Sequence, residues 1–211
     1  NNNEQLTWSV EGPFDSNYSL AILNRNFAQA LHKKGIRINI YQTEGLGDYQ
    51  ADFKFISTLD GFKDLLSTSI VDDYPTVSSR NMYPPRVKDM LSEINLIHAY
   101  GWEETQFPFE WVNEFNNNLD GITVMSNLVK KILVDNGVYI PITVCGLGVD
   151  HFQNIKPNLH YILNTKSYKF LHVSSCFPRK GILTLLDAYS KSFTLNDDVV
   201  LIIKTFDNPH H

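Results

Sequence analysis

Residues 121–145 run GITVMSNLVKKILVDNGVYIPITVC, and their apolar spacing changes period twice. Residues 122–125 read as a short strand, and Ser126 then stands where an N-cap hydroxyl accepts from a helix's first free amides. Leu128, Val129, Ile132 and Leu133 recur at the spacing of one helical face, Asn136-Gly137 supplies a stop, and residues 141–145 are apolar and extended again. Strand, helix and strand joined by tight connections make a βαβ unit, whose two strands must lie parallel. The expected fold class is therefore α/β, an open parallel sheet with helices on both faces.

The same grammar governs the N-terminal end. Residues 6–10 predict a strand, 11–15 its loop and Ser16 an N-cap. Leu20, Leu23, Phe27 and Leu31 give the stripe of a helix that Lys33-Lys34-Gly35 ends, before a strand at 37–42. A strand near Ile56, a short helix at 61–67 and a strand at 76–80 follow, and Tyr83-Pro84-Pro85 stops the last, since proline lacks an amide donor. Residues 94–98 have the continuous apolar character of a buried parallel strand. A loop at 100–104 then leads to a helix that Pro108 opens and that Trp111 and Phe115 anchor.

Toward the C-terminus, residues 152–169 show little periodicity and predict a linker between an N-terminal domain, 1–151, and a second segment, 170–211. That segment offers a strand at 170–174, a turn Pro178-Arg179-Lys180-Gly181, a helical stripe of Ile182, Leu185, Leu186 and Tyr189, and a strand at 199–204. Two strands and one helix bury too little for a core of their own. The segment is expected to be the first βαβ of an incomplete C-terminal domain whose remainder is missing.

Composition removes several function classes. Eighteen Lys and Arg against 23 Asp and Glu give a net charge of −5, without the basic field that nucleic-acid binding requires. Cys145 and Cys176 form no CxxC pair and are expected to be small buried apolar residues, while His151, His210 and His211 show no ligand spacing, so no metal is expected. The first loop, Gly12-Pro13-Phe14-Asp15, lacks the GxGxxG spacing of a dinucleotide site, and no cofactor is expected. No apolar run is long enough for a membrane span and the polar start is no signal peptide, so the expected compartment is the cytoplasm.

In an open parallel sheet, ligands bind beyond the carboxyl ends of the strands. Asp15, Ser16 and Asn17 stand ready for a polar ligand there, although an ordinary helix cap explains them equally. His98, Tyr100, Trp102, Glu103 and Glu104 bring imidazole, phenol, indole and carboxylates into seven positions, the mixture that carbohydrate sites use. A core-capping Trp102 and a His98 bonded to a backbone carbonyl are the plainer account. Arg179 and Lys180 precede a helix N-terminus and suit a phosphate, while a solvated basic turn accounts for them from spacing alone.

Taken in order, EGPFDSNYSLAILNRNFAQALHKKG (11–35), NMYPPR (81–86), HAYGWEETQFPFEWV (98–112), LDGITVMSNLVKKILVDNGV (119–138), CGLGVDHF (145–152) and SSCFPRKGILTLLDAYSKSF (174–193) resemble bacterial GT-B-fold glycosyltransferases of family 4. The resemblance implies two Rossmann-like domains, acceptor-side first and donor-side second. It also implies transfer of a sugar from a nucleotide sugar to a glycan, lipid or other acceptor, retaining, independent of metal and without a cofactor. Cell-surface polysaccharide biosynthesis and peripheral membrane contact fit the same resemblance. On it, Lys180 with Arg179 would hold the donor phosphate, His98 would face the transferred sugar as the catalytic residue, and residues 12–17 would approach both substrates. The departures are Ser174-Ser175-Cys176 where many relatives carry Gly-Arg, a first loop without the usual glycines, and no counterpart within 211 residues of the two-glutamate donor motif. A noncatalytic glycan- or partner-binding relative is the alternative.

Overall fold

The computed structural model describes residues 6–15, 18–43, 59, 62, 65–66, 74–149, 152 and 155–205. The chain divides into two compact units, Asn1–Asn154 and Ile155–His211. The first contains β1 (Thr7–Gly12), α1 (Ser19–Lys33), β2 (Arg37–Gln42), β3 (Val77–Arg80), β4 (Ile94–Tyr100), α2 (Phe109–Asn118), β5 (Gly121–Val124), α3 (Asn127–Asp135) and β6 (Ile142–Val144). Its six strands pair in parallel in the order β2-β1-β3-β4-β5-β6, a Rossmann-like α/β sheet. The strand near Ile56 lies outside the described residues. Of the helix expected at 61–67, Phe62, Leu65 and Leu66 are described, and they are helical.

Strand alternation distributes the helices over both faces. Val10, Ser79 and Leu96 share one face by register, and Val10 packs there with Ala28 and Phe27 of α1. Glu11, Arg80 and Ile97 share the other, where Ile97 and Ile122 pack with Val112 and Phe115 of α2 and Val129 and Leu133 of α3.

Several expectations need correction. The N-cap of α1 is Tyr18, not Ser16. Pro13, Phe14 and Asp15 are buried, and Phe14 stacks on Phe62 with centroids 5.7 Å apart, so the chain enters the core before it turns helical. The buried residues of α1 are Ala21, Asn24, Arg25 and Ala28, and the large apolar groups Leu20, Leu23, Phe27 and Leu31 flank them half-buried. The buried face thus consists of two alanines and of two polar residues whose hydrogen bonds to Pro13, Asn81, His98 and Phe14 satisfy them there. In α3 the Ser126 cap forms, its Oγ accepting from Val129 N at 3.3 Å, but Leu128 points into solvent. Cys145 is exposed because it lies just past the edge strand β6, and Cys176 is half-buried in a loop at φ +56°.

Strand β4 runs two residues further than expected and contains a bulge. Its pairing with β5 shifts between Ile97↔Ile122 and Tyr100↔Val124, with Ala99 at φ +48°. The Ala99 amide donates to Thr123 Oγ1 at 2.8 Å. One extra residue reverses the side-chain alternation, so Tyr100 joins Ile97 on the α2 face while His98 stays on the α1 face.

The second unit pairs β7 (Tyr168–Val173) with β8 (Val199–Lys204) in parallel. A 3-10 turn, Pro178–Lys180, leads into α4 (Ile182–Ser192). Phe170 meets Tyr189 and Phe193, and the Tyr189 hydroxyl donates to the Val199 carbonyl at 3.2 Å. Among the described residues of this unit none is fully buried. No helix among the described residues is long and apolar enough to cross a membrane.

Candidate functional site

The strand order reverses at the β1–β3 pair, with β2 beside β1 and β4 beside β3. Loops leaving a parallel sheet diverge at such a reversal, which makes it the default place for a ligand. Polar groups concentrate there: Asp15, Asn24, Arg25, Arg80, Asn81 and His98 are all buried.

Asn24 organises the cluster from α1. Its Nδ2 donates to the Pro13 carbonyl and to the Asn81 carbonyl, each at 3.0 Å, binding the chain after β1 to the chain after β3. With both hydrogens used, its Oδ1 faces His98 Nε2 at 2.8 Å, so His98 Nε2 carries the proton. Asn81 Nδ2 donates in turn to the His98 carbonyl at 2.8 Å. Close approach requires Gly12, at φ +138°, because a Cβ there would stand 2.5 Å from Asn24 Nδ2 and closer still to the Asn81 carbonyl oxygen.

His98 itself is 2% exposed and stacks on Phe27 with centroids 4.2 Å apart. Burial pushes its pKa down to about 3, so the ring is neutral at ordinary pH. Its Nδ1 has no hydrogen-bond partner among the described residues. A ring that is neutral at ordinary pH has no imidazolium proton to give, and the Ser79 backbone, which bonds to the charged form of the ring, opposes burial by raising its pKa.

Two ionic groups frame the cluster. Asp15, 1% exposed, accepts at Oδ2 from Gln42 Nε2 at 2.9 Å, and its charge opposes the fall that burial causes in the Arg25 pKa. The Arg25 guanidinium donates to the Phe14 carbonyl. On the opposite face, Arg80 reaches Glu11 Oε2 at 2.7 Å and Asp89 Oδ1 at 2.7 Å, and donates to the Arg86 carbonyl at 2.7 Å. Burial alone would lower the Arg80 pKa, but hydrogen bonds and charge from Asp89 and Glu11 outweigh it and hold it up.

The constellation expected between 98 and 104 is divided by the sheet. Tyr100 is buried among Phe107 and Phe115, its hydroxyl without a partner among the described residues. Trp102 packs on Phe107 and Trp111 and donates through Nε1 to the Gln106 carbonyl at 2.8 Å. Glu103 and Glu104 are exposed. Ser16 and Asn17, like His151, His210 and His211, lie outside the described residues. Asp15 and His98 therefore share the α1 side with Asn24, whereas Tyr100 and Trp102 belong to the α2 side. Sequence reasoning passed over Asn24, Arg25 and Asn81; the available signal was two polar residues in the middle of an amphipathic helix.

In the second unit, Arg179 and Lys180 are exposed on the 3-10 turn, and Gly181 at φ +71° turns the chain into α4. That helix has neither a side-chain cap nor an acid in its first turn, so its free amides and two cations point to the same end. Among the described residues no group of three or more His, Cys, Asp or Glu side chains is placed to hold a metal ion. No protein-family model, curated protein or solved structure matches this chain.

Proposed function

We propose that the chain is the acceptor-side domain and the opening of the donor-side domain of a nucleotide-sugar-dependent glycosyltransferase. The observation that carries the reading is the reversal of strand order at β1–β3, where Asn24 ties the chain after β1, the chain after β3 and His98 into one buried unit. The ordered resemblance of six segments to family 4 transferases supports it. On this reading the strand ends hold the sugar to be transferred and its acceptor. Lys180, with Arg179 and the first amides of α4, stabilises the leaving diphosphate by charge and hydrogen bonding. Retention and independence of metal belong to the same proposal.

The two-glutamate donor motif has no counterpart within residues 1–211, so donor use is measured on the complete product of the gene. Lys180→Ala is expected to lower kcat/KM for the sugar nucleotide by an amount equivalent to about 1.5–3 kcal/mol, one charge-assisted hydrogen bond. Unchanged donor kinetics would remove Lys180 from the site.

One observation favours a second reading, a noncatalytic glycan- or partner-binding relative. His98 is shut behind Phe27 and bonded to Asn24, an arrangement a structural histidine also requires. Glycan binding by a product that turns over no sugar nucleotide would decide for it.

A further inference from the structure

The extra residue at Ala99 turns Tyr100 onto the α2 face, which Arg80 and Ile97 share by register. A bulge is a common device for re-aiming one side chain, and here an alanine accepts φ +48° to do so. Tyr100 is 3% exposed, and its hydroxyl has no hydrogen-bond partner among the described residues. Burial, with a smaller part from the charge of Tyr83, pushes its pKa up, so the group keeps its proton and stands as a donor. A buried hydroxyl left unpaired is costly, and this fold retains one.

Tyr100 lines a narrow recess between β3, β4 and the segment after β3, with about 170 Å³ of space not filled by atoms. Met82, Val87 and Ile97 give it apolar walls, and Arg80 and Arg86 give it charge. The recess is too tight for a water molecule as it stands, so water does not satisfy the hydroxyl. Arg86 is half-buried, and its one side-chain hydrogen bond among the described residues is to Met82 Sδ at 3.9 Å, a weak acceptor. Arg80 presents a fork that Asp89 occupies through both carboxylate oxygens, at 2.7 and 3.4 Å. The Asp89 side chain is 68% exposed and free to swing away, whereas that of Glu11 is held inside. With Asp89 out, two guanidinium charges face one carboxylate, which calls for a single negative charge.

We propose that this recess takes an organic monocarboxylate of a few carbon atoms. Its carboxylate replaces that of Asp89 on Arg80 and accepts from Arg86 and from the Tyr100 hydroxyl, while its carbon chain lies against Met82, Val87 and Ile97. The recess widens as Asp89 leaves, and until then Asp89 acts as an internal competitor. Phosphate fits less well, because its second charge has no counterpart and the apolar walls offer it no donors. The inference does not depend on sugar transfer, and either can fail without the other.

The test is NMR titration of the 211-residue chain with sodium acetate, sodium butyrate and sodium phosphate at constant ionic strength. Butyrate is expected to move the Arg86 side-chain N–H and the Met82 and Val87 methyl signals, and to bind at least threefold more tightly than acetate. Asp89→Asn, at an exposed position, should strengthen butyrate binding at least fivefold, and Tyr100→Phe should weaken it at least fivefold. Tyr100→Phe should leave the melting temperature of the free chain unchanged or raised, since it removes a buried hydroxyl without a partner. A free chain destabilised by Tyr100→Phe would show that the hydroxyl is already satisfied, and overturns the proposal. So does the absence of any shift at these groups with butyrate, binding indifferent to either substitution, or phosphate binding there in preference to butyrate.

Discussion

Burial of His98 couples this single ring to the stability of the whole first unit. Its folded pKa is lowered from 6.5 to about 3, so the unfolded chain takes up the proton first. The stability contribution of the neutral ring is therefore complete above pH 6.5 and is lost as pH falls toward 3. Between pH 7 and pH 5 the loss from this group should be on the order of 2 kcal/mol, at about 1.4 kcal/mol per pH unit below 6.5. Urea denaturation at the two pH values measures it, and His98→Gln, which cannot titrate, should lack that part of the slope. An equal slope in the variant would mean that the ring is protonated in the folded state.

Elements meet at Arg80, the last residue of β3, which bonds to the neighbouring strand through Glu11 and to the following segment through Asp89. The two contacts are not equivalent. The Arg80 and Glu11 side chains are 4% and 9% exposed, whereas that of Asp89 is 68% exposed and its pairing is weakened by solvent. Arg80→Leu leaves the Glu11 charge buried without a partner and should cost about 3–5 kcal/mol in a denaturation measurement. Adding Glu11→Leu should recover most of that loss; no recovery would place the cost elsewhere.

The same scale shows where the sequence was legible. The β5–α3–β6 unit could be read because period, cap and stop agree at Ser126 and Asn136-Gly137. The bulge at Ala99 could not, since nothing in Ile-His-Ala-Tyr marks an extra residue, and that residue decides which face Tyr100 takes. Asn24 escaped for a related reason. A polar residue within a leucine-rich helix ordinarily faces solvent, and its three hydrogen-bonding partners lie 11, 57 and 74 positions away. The strand ends are where a buried polar cluster lies, but the side chains meeting there are set by long-range pairing.

For the whole molecule, the distribution of buried residues separates the two units. The described hydrophobic core belongs to the first, and no described residue of the second is fully buried. A chain ending at Asn154 should therefore unfold cooperatively, with a melting temperature within about 3 °C of that of the 211-residue chain, a difference of roughly 1 kcal/mol. A non-cooperative melt would show that residues 155–211 complete the core of the first unit.

The proposal of sugar transfer is tested most directly by the stereochemistry of a product. The complete gene product is incubated with a panel of sugar nucleotides and glycan acceptors, and the anomeric proton of any new glycoside is followed by NMR. The account predicts a glycosidic bond that keeps the donor's anomeric configuration. An inverted product, or no transfer from any sugar nucleotide, contradicts it.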